Sequence, residues 1–304
     1  MTRATWSMLL GVFGCAAPER LPPPIDYDPV EHSTESSTGG ALAPKPDVAA
    51  VQPCNAVDLL FVIDNSGSMG DEQDQLVASF PGFIAGIEQL LGDADYHVGV
   101  ITTDENLFNE GGCQRLGALT TRTGGDGSSD AQCGPFAEHH AFMTPVDDLA
   151  RTFACTGRVG VEGSGIERPM DATIAALTGE GVGACNREFL RRDALLVLTI
   201  ITDEDDAADS RGDPSSWYDS IVAVKHDDAQ RVVVLSLVGV PRPNACPPGP
   251  PDLAGAEVAT RLLEFTEMFE YGSSGDVCDD DYAATFDAAL QRIAAACDVA
   301  TPVG

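Results

Sequence analysis

The sequence predicts a three-layer α/β fold, with a mainly parallel central β-sheet flanked by helices and cross-linked by disulfides. Three observations lead there. Apolar runs of strand length, hydrophobic on both faces, recur along the chain, as strands covered on each side by helices require. Segments with apolar residues three and four apart separate them, and this alternation is the pattern of parallel strands joined by helical crossovers. Nine cysteines in 304 residues, with no CxxC pair among them, favour structural bridges in an oxidising compartment over zinc or redox chemistry.

Taken in order, the chain begins MTRATWSMLLGVFGCAA, with one early positive charge at Arg3, an apolar stretch from Trp6 to Phe13 and small residues around Cys15. Residues 1–15 read as an export signal, too short to span a bilayer as a mature helix. Its VFGC resembles the lipobox of bacterial lipoproteins, which implies lipidation at Cys15; the alternative is an ordinary signal cleaved near Ala16 or Ala17. Residues 16–52 are rich in Pro, Ser, Thr and acids without apolar periodicity, and read as a flexible tether. One domain remains, residues 53–299. Its strands are VDLLFVI (57–63), YHVGVIT (96–102), ALLVLTII (194–201) and RVVVLSLVGV (231–240). Helices are expected at about 71–91, 145–155, 166–178, 215–227, 254–268 and 282–296 from their apolar spacing. The Gly- and Ser-rich stretch 104–140 reads as an insertion stapled by Cys113 and Cys133, and a Cys54–Cys297 bridge would tie the ends of the domain.

Charge narrows the function. Acidic residues outnumber basic ones 48 to 17, a net charge of −31, which repels phosphate backbones and anionic lipid heads. Nucleic acid is excluded as a partner, and membrane contact is expected only through the lipid anchor. Most of the acids need no role beyond solubility.

The stretch FVIDNSGSMGDE (61–72) is different, because Asp64, Ser66 and Ser68 follow directly on a buried strand. In a parallel α/β sheet, ligands bind beyond the carboxyl ends of strands near the point where strand order reverses. Alternate positions of an extended loop point the same way, so one carboxylate and two hydroxyls converge. Such hard oxygen donors suit Mg²⁺, Mn²⁺ or Ca²⁺ rather than zinc.

VDLLFVIDNSGSM resembles the first strand and DxSxS loop of von Willebrand factor type A domains, the Rossmann-like family that carries the metal-ion-dependent adhesion site. LLVLTIITDEDD is similar to that family's fourth strand, which ends in Thr-Asp and implies a distal metal aspartate at Asp203. The family's remaining ligand is a threonine before the third helix. Here its expected position falls near Val161 within RVGVEGSGIERPM, and Ser164 is the residue expected to supply the missing hydroxyl. The resemblance implies that Ser66 and Ser68 hold the ion directly. Asp64 and Asp203 neutralise it, in part through water. One position takes a carboxylate from a partner, which makes the protein an exported, surface-anchored binding module of the bacterial cell envelope, recognising a protein or other acidic ligand without turnover.

The competing expectations are plainer. Asp64 to Ser68 could be a turn with a capping serine. Asp205, Asp206, Asp209 and Asp279 to Asp281 read as solvated or helix-capping acids, as do Asp71, Glu72 and Asp74. Asp104 closes a strand at the same sheet edge and is read equally as a supporter of the site or as structural. Arg211, Gly212 and Asp213 spell RGD and read as a turn; His97, His139 and His140 read as packed or edge residues. A metal-dependent hydrolase or phosphatase of the haloacid dehalogenase kind would need DxD, and Ser66 stands at its second acid. No nucleotide, metalloprotease or serine-hydrolase motif is present. A structural envelope protein with a vestigial metal site is the third alternative.

Overall fold

In the computed structural model the described residues are 55–92, 94–207, 209–247 and 255–299. The expectations for Cys15, the tether and Cys54 lie outside them. Five strands, β1 (Ala56–Ile63), β2 (Asp95–Thr102), β3 (Leu195–Ile201), β4 (Val232–Val238) and β5 (Tyr271–Asp276), form one sheet in the order β2-β1-β3-β4-β5. Every neighbouring pair is parallel. The chain passes from β1 outward to β2, then returns to the other side of β1 to lay down β3. Strand order therefore reverses between β1 and β3, and their carboxyl ends frame a crevice open to a ligand.

Both faces of the sheet are covered, which explains the unbroken apolar runs. On one face Val57, Leu59, Phe61 and Ile63 pack against α1 (Gly70–Leu91), α2 (Leu149–Thr156) and α6 (Ala283–Val299). Phe61 meets Phe153 edge-on with ring centroids 4.8 Å apart, and Phe80 stacks on Phe153. On the other face Leu60, Val62, Leu198 and Val234 pack against α3 (Pro169–Thr178), α4 (Pro214–Ala223) and α5 (Thr260–Glu267), with Trp217 and Phe265 at the centre. No helix among the described residues is long and apolar enough to cross a membrane.

Helix starts are set by caps the apolar spacing does not reveal. Asp148 accepts from Arg151 N and opens α2, so that helix begins four residues later than expected. Pro169 occupies the first turn of α3, where its missing N–H is no loss. Asp213 and Ser216 form a capping box at α4. The RGD tripeptide is thus the turn into α4: Arg211 O accepts from Trp217 Nε1 at 2.7 Å, and Asp213 is the cap.

β5 was not expected. Its sequence, YGSSGD, has no apolar run because it is an edge strand pressed on backbone: a Cβ on Gly272 would lie 2.0 Å from Thr266 O. The disulfide expectation for the insertion is corrected. Cys113 pairs with Cys185 and Cys133 with Cys155, so the segment is tied outward to the end of the α3 connection and to α2 rather than closed on itself. Cys246 pairs with Cys278. Within the insertion side chains replace regular structure; Asn109 alone bonds the backbone of Cys113, Leu119 and Thr121.

Beneath the sheet, at the amino ends of the strands, Asp58 lies fully buried with Lys225 and Arg191. His97 belongs to this structural group, its Nδ1 2.7 Å from Phe189 O.

Candidate metal centre

The crevice between β1 and β3 collects the residues singled out by the sequence. Asp64 N donates to Ile201 O at 2.9 Å, extending the β1–β3 pairing one step beyond the strands. Its carboxylate is held from both sides: Oδ1 accepts from Ser66 N at 2.7 Å and Oδ2 from Thr202 Oγ1 at 2.6 Å. Ser66 and Ser68 present their hydroxyls 3.3 Å apart, so the alternate positions do converge. Asp203 follows Thr202 and lies close enough to Ser68 for that hydroxyl to oppose the rise that burial causes in its carboxyl.

Two hydrogen-bonded clamps hold the loop. Gln73, buried in the first turn of α1, donates Nε2 to Asp64 O and to Gly160 O and accepts from Gly160 N. Asn65 donates to Asp104 Oδ1 at 2.9 Å, while Asp104 Oδ2 accepts from Ser164 N at 2.8 Å. Asp104 thus cross-links the DxSxS loop to the loop before α3. Gly163 makes that junction possible, since a Cβ there would lie 2.4 Å from Asn65 Nδ2.

In the loop before α3 three positions behave differently. Val161 lies beside Gly70, where an added Cβ would meet its Cγ1 at 3.8 Å, and its N–H donates to Asp126 O. Ser164 is exposed and its Oγ accepts from Ile166 N in a local turn. Glu167, which the sequence reading passed over, is only 1% exposed. Its Oε2 accepts from Thr103 Oγ1 and its Oε1 has no partner. No sequence signal marks it, because an acid two residues before the helix-opening Pro169 reads as a solvated or capping residue.

The electrostatics are those of acids held together. Burial pushes Asp64 up to about 7, with repulsion from Asp203 adding to it, and pushes Glu167 up to about 9, with repulsion from Asp64 adding to it. Glu72, on α1, is pushed up to about 7 by burial and by Asp203 beside it. Among the described residues the buried carboxylate oxygens without a hydrogen-bond partner are Glu72 Oε2, Glu167 Oε1 and Asp203 Oδ1, and all three belong to this cluster. Native structures leave few such atoms, and an ion is one of the reasons they do. The donors are carboxylate and hydroxyl oxygens, which fit a hard divalent cation.

The neighbouring acids have structural work. Asp205 accepts from Arg261 N and Leu262 N at the start of α5, and Asp206 accepts from Ser210 N and Met170 N at the start of α3. Asp281 accepts from Ala283 N at the start of α6. Among the described residues, the group of three His, Cys, Asp or Glu whose ligand atoms all lie within 4.8 Å of one another is Cys246, Asp276 and Cys278. There the two sulfurs are bonded to each other, and the Asp276 oxygens accept from Ala245 N and Cys278 N, which makes the group a staple at the end of β5. A groove of about 490 Å³ opens beside Ser68, lined by Asp71, Glu72, Asp74, Asp279 and Asp280 among others.

No protein-family model matches this sequence, and no curated protein matches it as a relative.

Proposed function

We propose that the chain is an exported binding module, of the von Willebrand factor type A kind, that recognises a partner through a divalent cation, Mg²⁺, Mn²⁺ or Ca²⁺, at Asp64, Ser66, Ser68 and Asp203. The observation that carries this reading is Asp203 Oδ1: a carboxylate oxygen 3% exposed as part of its residue, with no partner, beside two convergent hydroxyls. An uncompensated buried charge is costly, and a cation removes the cost.

When bound, the ion supplies a Lewis-acid contact for one oxygen donor of a partner. The chain's own residues do the rest. Thr202 and the Ser66 N–H fix Asp64, Gln73 and Asn65 fix the loop, and the sheet beneath holds all of them in register. A partner carboxylate that reaches the ion must approach past the acidic groove beside Ser68, so basic side chains flanking that carboxylate suit the surface. Export, with the Cys15 anchor, agrees with the Cys113–Cys185, Cys133–Cys155 and Cys246–Cys278 bridges among the described residues. The absence of a second acid at position 66 argues against the phosphatase alternative.

Thermal unfolding of the oxidised full chain tests the reading. Mn²⁺ at about a hundred times its dissociation constant should stabilise the fold by about 2.7 kcal/mol. A chelator should reverse the gain, and Asp203→Asn should show little of it. A melting temperature indifferent to all three cations would leave the vestigial-site alternative standing.

A further inference from the structure

We infer that Glu167 is itself a ligand of this cation, an internal carboxylate that holds the ion while no partner is bound and that a partner's acidic group must displace. The inference rests on the proposed cation site and goes beyond it in naming how the site is regulated.

Three observations lead to it. Glu167 is buried to 1% exposure, yet one of its two oxygens has no partner. The other is held by Thr103 Oγ1, and that same hydroxyl oxygen lies 3.4 Å from Asn65 Oδ1, so the hydroxyl that orients Glu167 sits against the DxSxS loop. The loop carrying Glu167 is fastened at both ends to the site, by Gly163 N to Asn65 O at 2.8 Å and by Arg168 N to Thr103 O at 3.1 Å. Arg168 adds a two-pronged bond to Glu105, at 3.0 Å to each oxygen, which fixes the residue next to Glu167. A side chain pinned this firmly, with a bare oxygen inside a cluster of acids, is built to face positive charge.

The consequence is a matter of charge. Asp64 and Asp203 alone would balance a divalent ion and leave it attractive to an external carboxylate. With Glu167 the loaded site carries one net negative charge, and Asp104 and Glu204 lie close enough to add repulsion. A fourth carboxylate would then enter only by taking the place of Glu167. Affinity for the ion rises with the count of charged ligands, so the chain holds its cation more tightly alone and its partner less tightly than a site with a neutral residue at position 167.

The test compares the full oxidised chain with Glu167→Gln, which keeps the side chain's size and an acceptor for Thr103. Mn²⁺ is titrated into each, the water coordinated to bound Mn²⁺ is counted by proton relaxation, and acetate is then titrated into the loaded proteins. We expect Glu167→Gln to bind Mn²⁺ about tenfold or more weakly, to carry one more coordinated water, and to bind acetate more tightly. Glu167→Thr, with a neutral hydroxyl, should shift all three readings the same way. If Mn²⁺ affinity and hydration are unchanged in both variants, Glu167 is a neutral packed acid and the inference is overturned while the cation site stands. If the unaltered chain binds no Mn²⁺, the site reading fails and takes this inference with it.

Discussion

Gln73 Nε2 donates to the carbonyl oxygen of Asp64 at 2.9 Å, so the helix that follows the site loop also grips the residue that begins it. The same amide bonds Gly160 through both its donor and its acceptor. One side chain thereby joins the ends of β1, α1 and the loop leading to α3. Replacing it by leucine, Gln73→Leu, should cost about 1–3 kcal/mol for each buried backbone group left unpaired. Urea unfolding would measure that loss, and cation affinity should fall with it. A variant of normal stability would show that water takes over these bonds.

Metal-free stability should fall as pH rises. Burial and like charge hold the Glu167 carboxyl at about 9 and Asp64 at about 7, above their ordinary values. The folded chain therefore binds these protons more tightly than the unfolded chain does. Their contribution is fully present below the ordinary carboxylate range and is lost as pH rises through those values. In the presence of a chelator, melting temperature should drop between about pH 5 and pH 9, and less steeply in Glu167→Gln. General repulsion among the acids has the same sign but persists in the variant, so the difference between the two profiles isolates Glu167. Parallel profiles would contradict the assignment.

The buried charges under the sheet should prove more costly to disturb than the site. Lys225 Nζ lies 3.5 Å from Asp58 Oδ2, both side chains wholly buried, and donates to Arg191 O at 2.7 Å. Lys225→Met removes one partner of a buried pair, a change that costs about 3–5 kcal/mol. Chemical denaturation should show this without a change in cation affinity once the protein is folded. A neutral outcome would mean that Arg191 alone compensates Asp58.

Replacing Cys113 and Cys185 together by serine frees a loop spanning 72 positions. The expected loss is about 2–5 kcal/mol. Limited proteolysis should then cut within 104–140, a segment with almost no regular structure to protect it. Resistance equal to that of the unaltered chain would show that its side-chain bonds suffice.

The parts legible in the sequence were those with a period. Strands β1 to β4 are continuous apolar runs, and the DxSxS loop is a local pattern, so Asp64, Ser66 and Ser68 were named with their geometry. Asp203 came from a second local match, and Ser68 lies close enough to act on its carboxyl. What escaped depends on tertiary contact. β5 is recognisable only beside β4, because its glycines answer to the backbone pressed against them. The pairing of Cys113 and Cys133 depends on where α2 and the α3 connection come to lie. Glu167 and Gln73 are polar residues in segments that read as surface, and only the closing of two loops over β1 buries them. Ser164, chosen because it carries a hydroxyl in the right loop, is exposed and its Oγ accepts from Ile166 N.

The most direct measurement is calorimetric titration of the oxidised full chain with Mg²⁺, Mn²⁺ and Ca²⁺, with Asp64→Ala alongside. The account predicts binding of at least one of these ions to the unaltered chain, abolished in Asp64→Ala while the fold persists, because Asp64 lies on a loop above the sheet. Equal affinity in the two proteins would contradict it, placing the cation elsewhere and leaving the cluster around Asp64 without its proposed role.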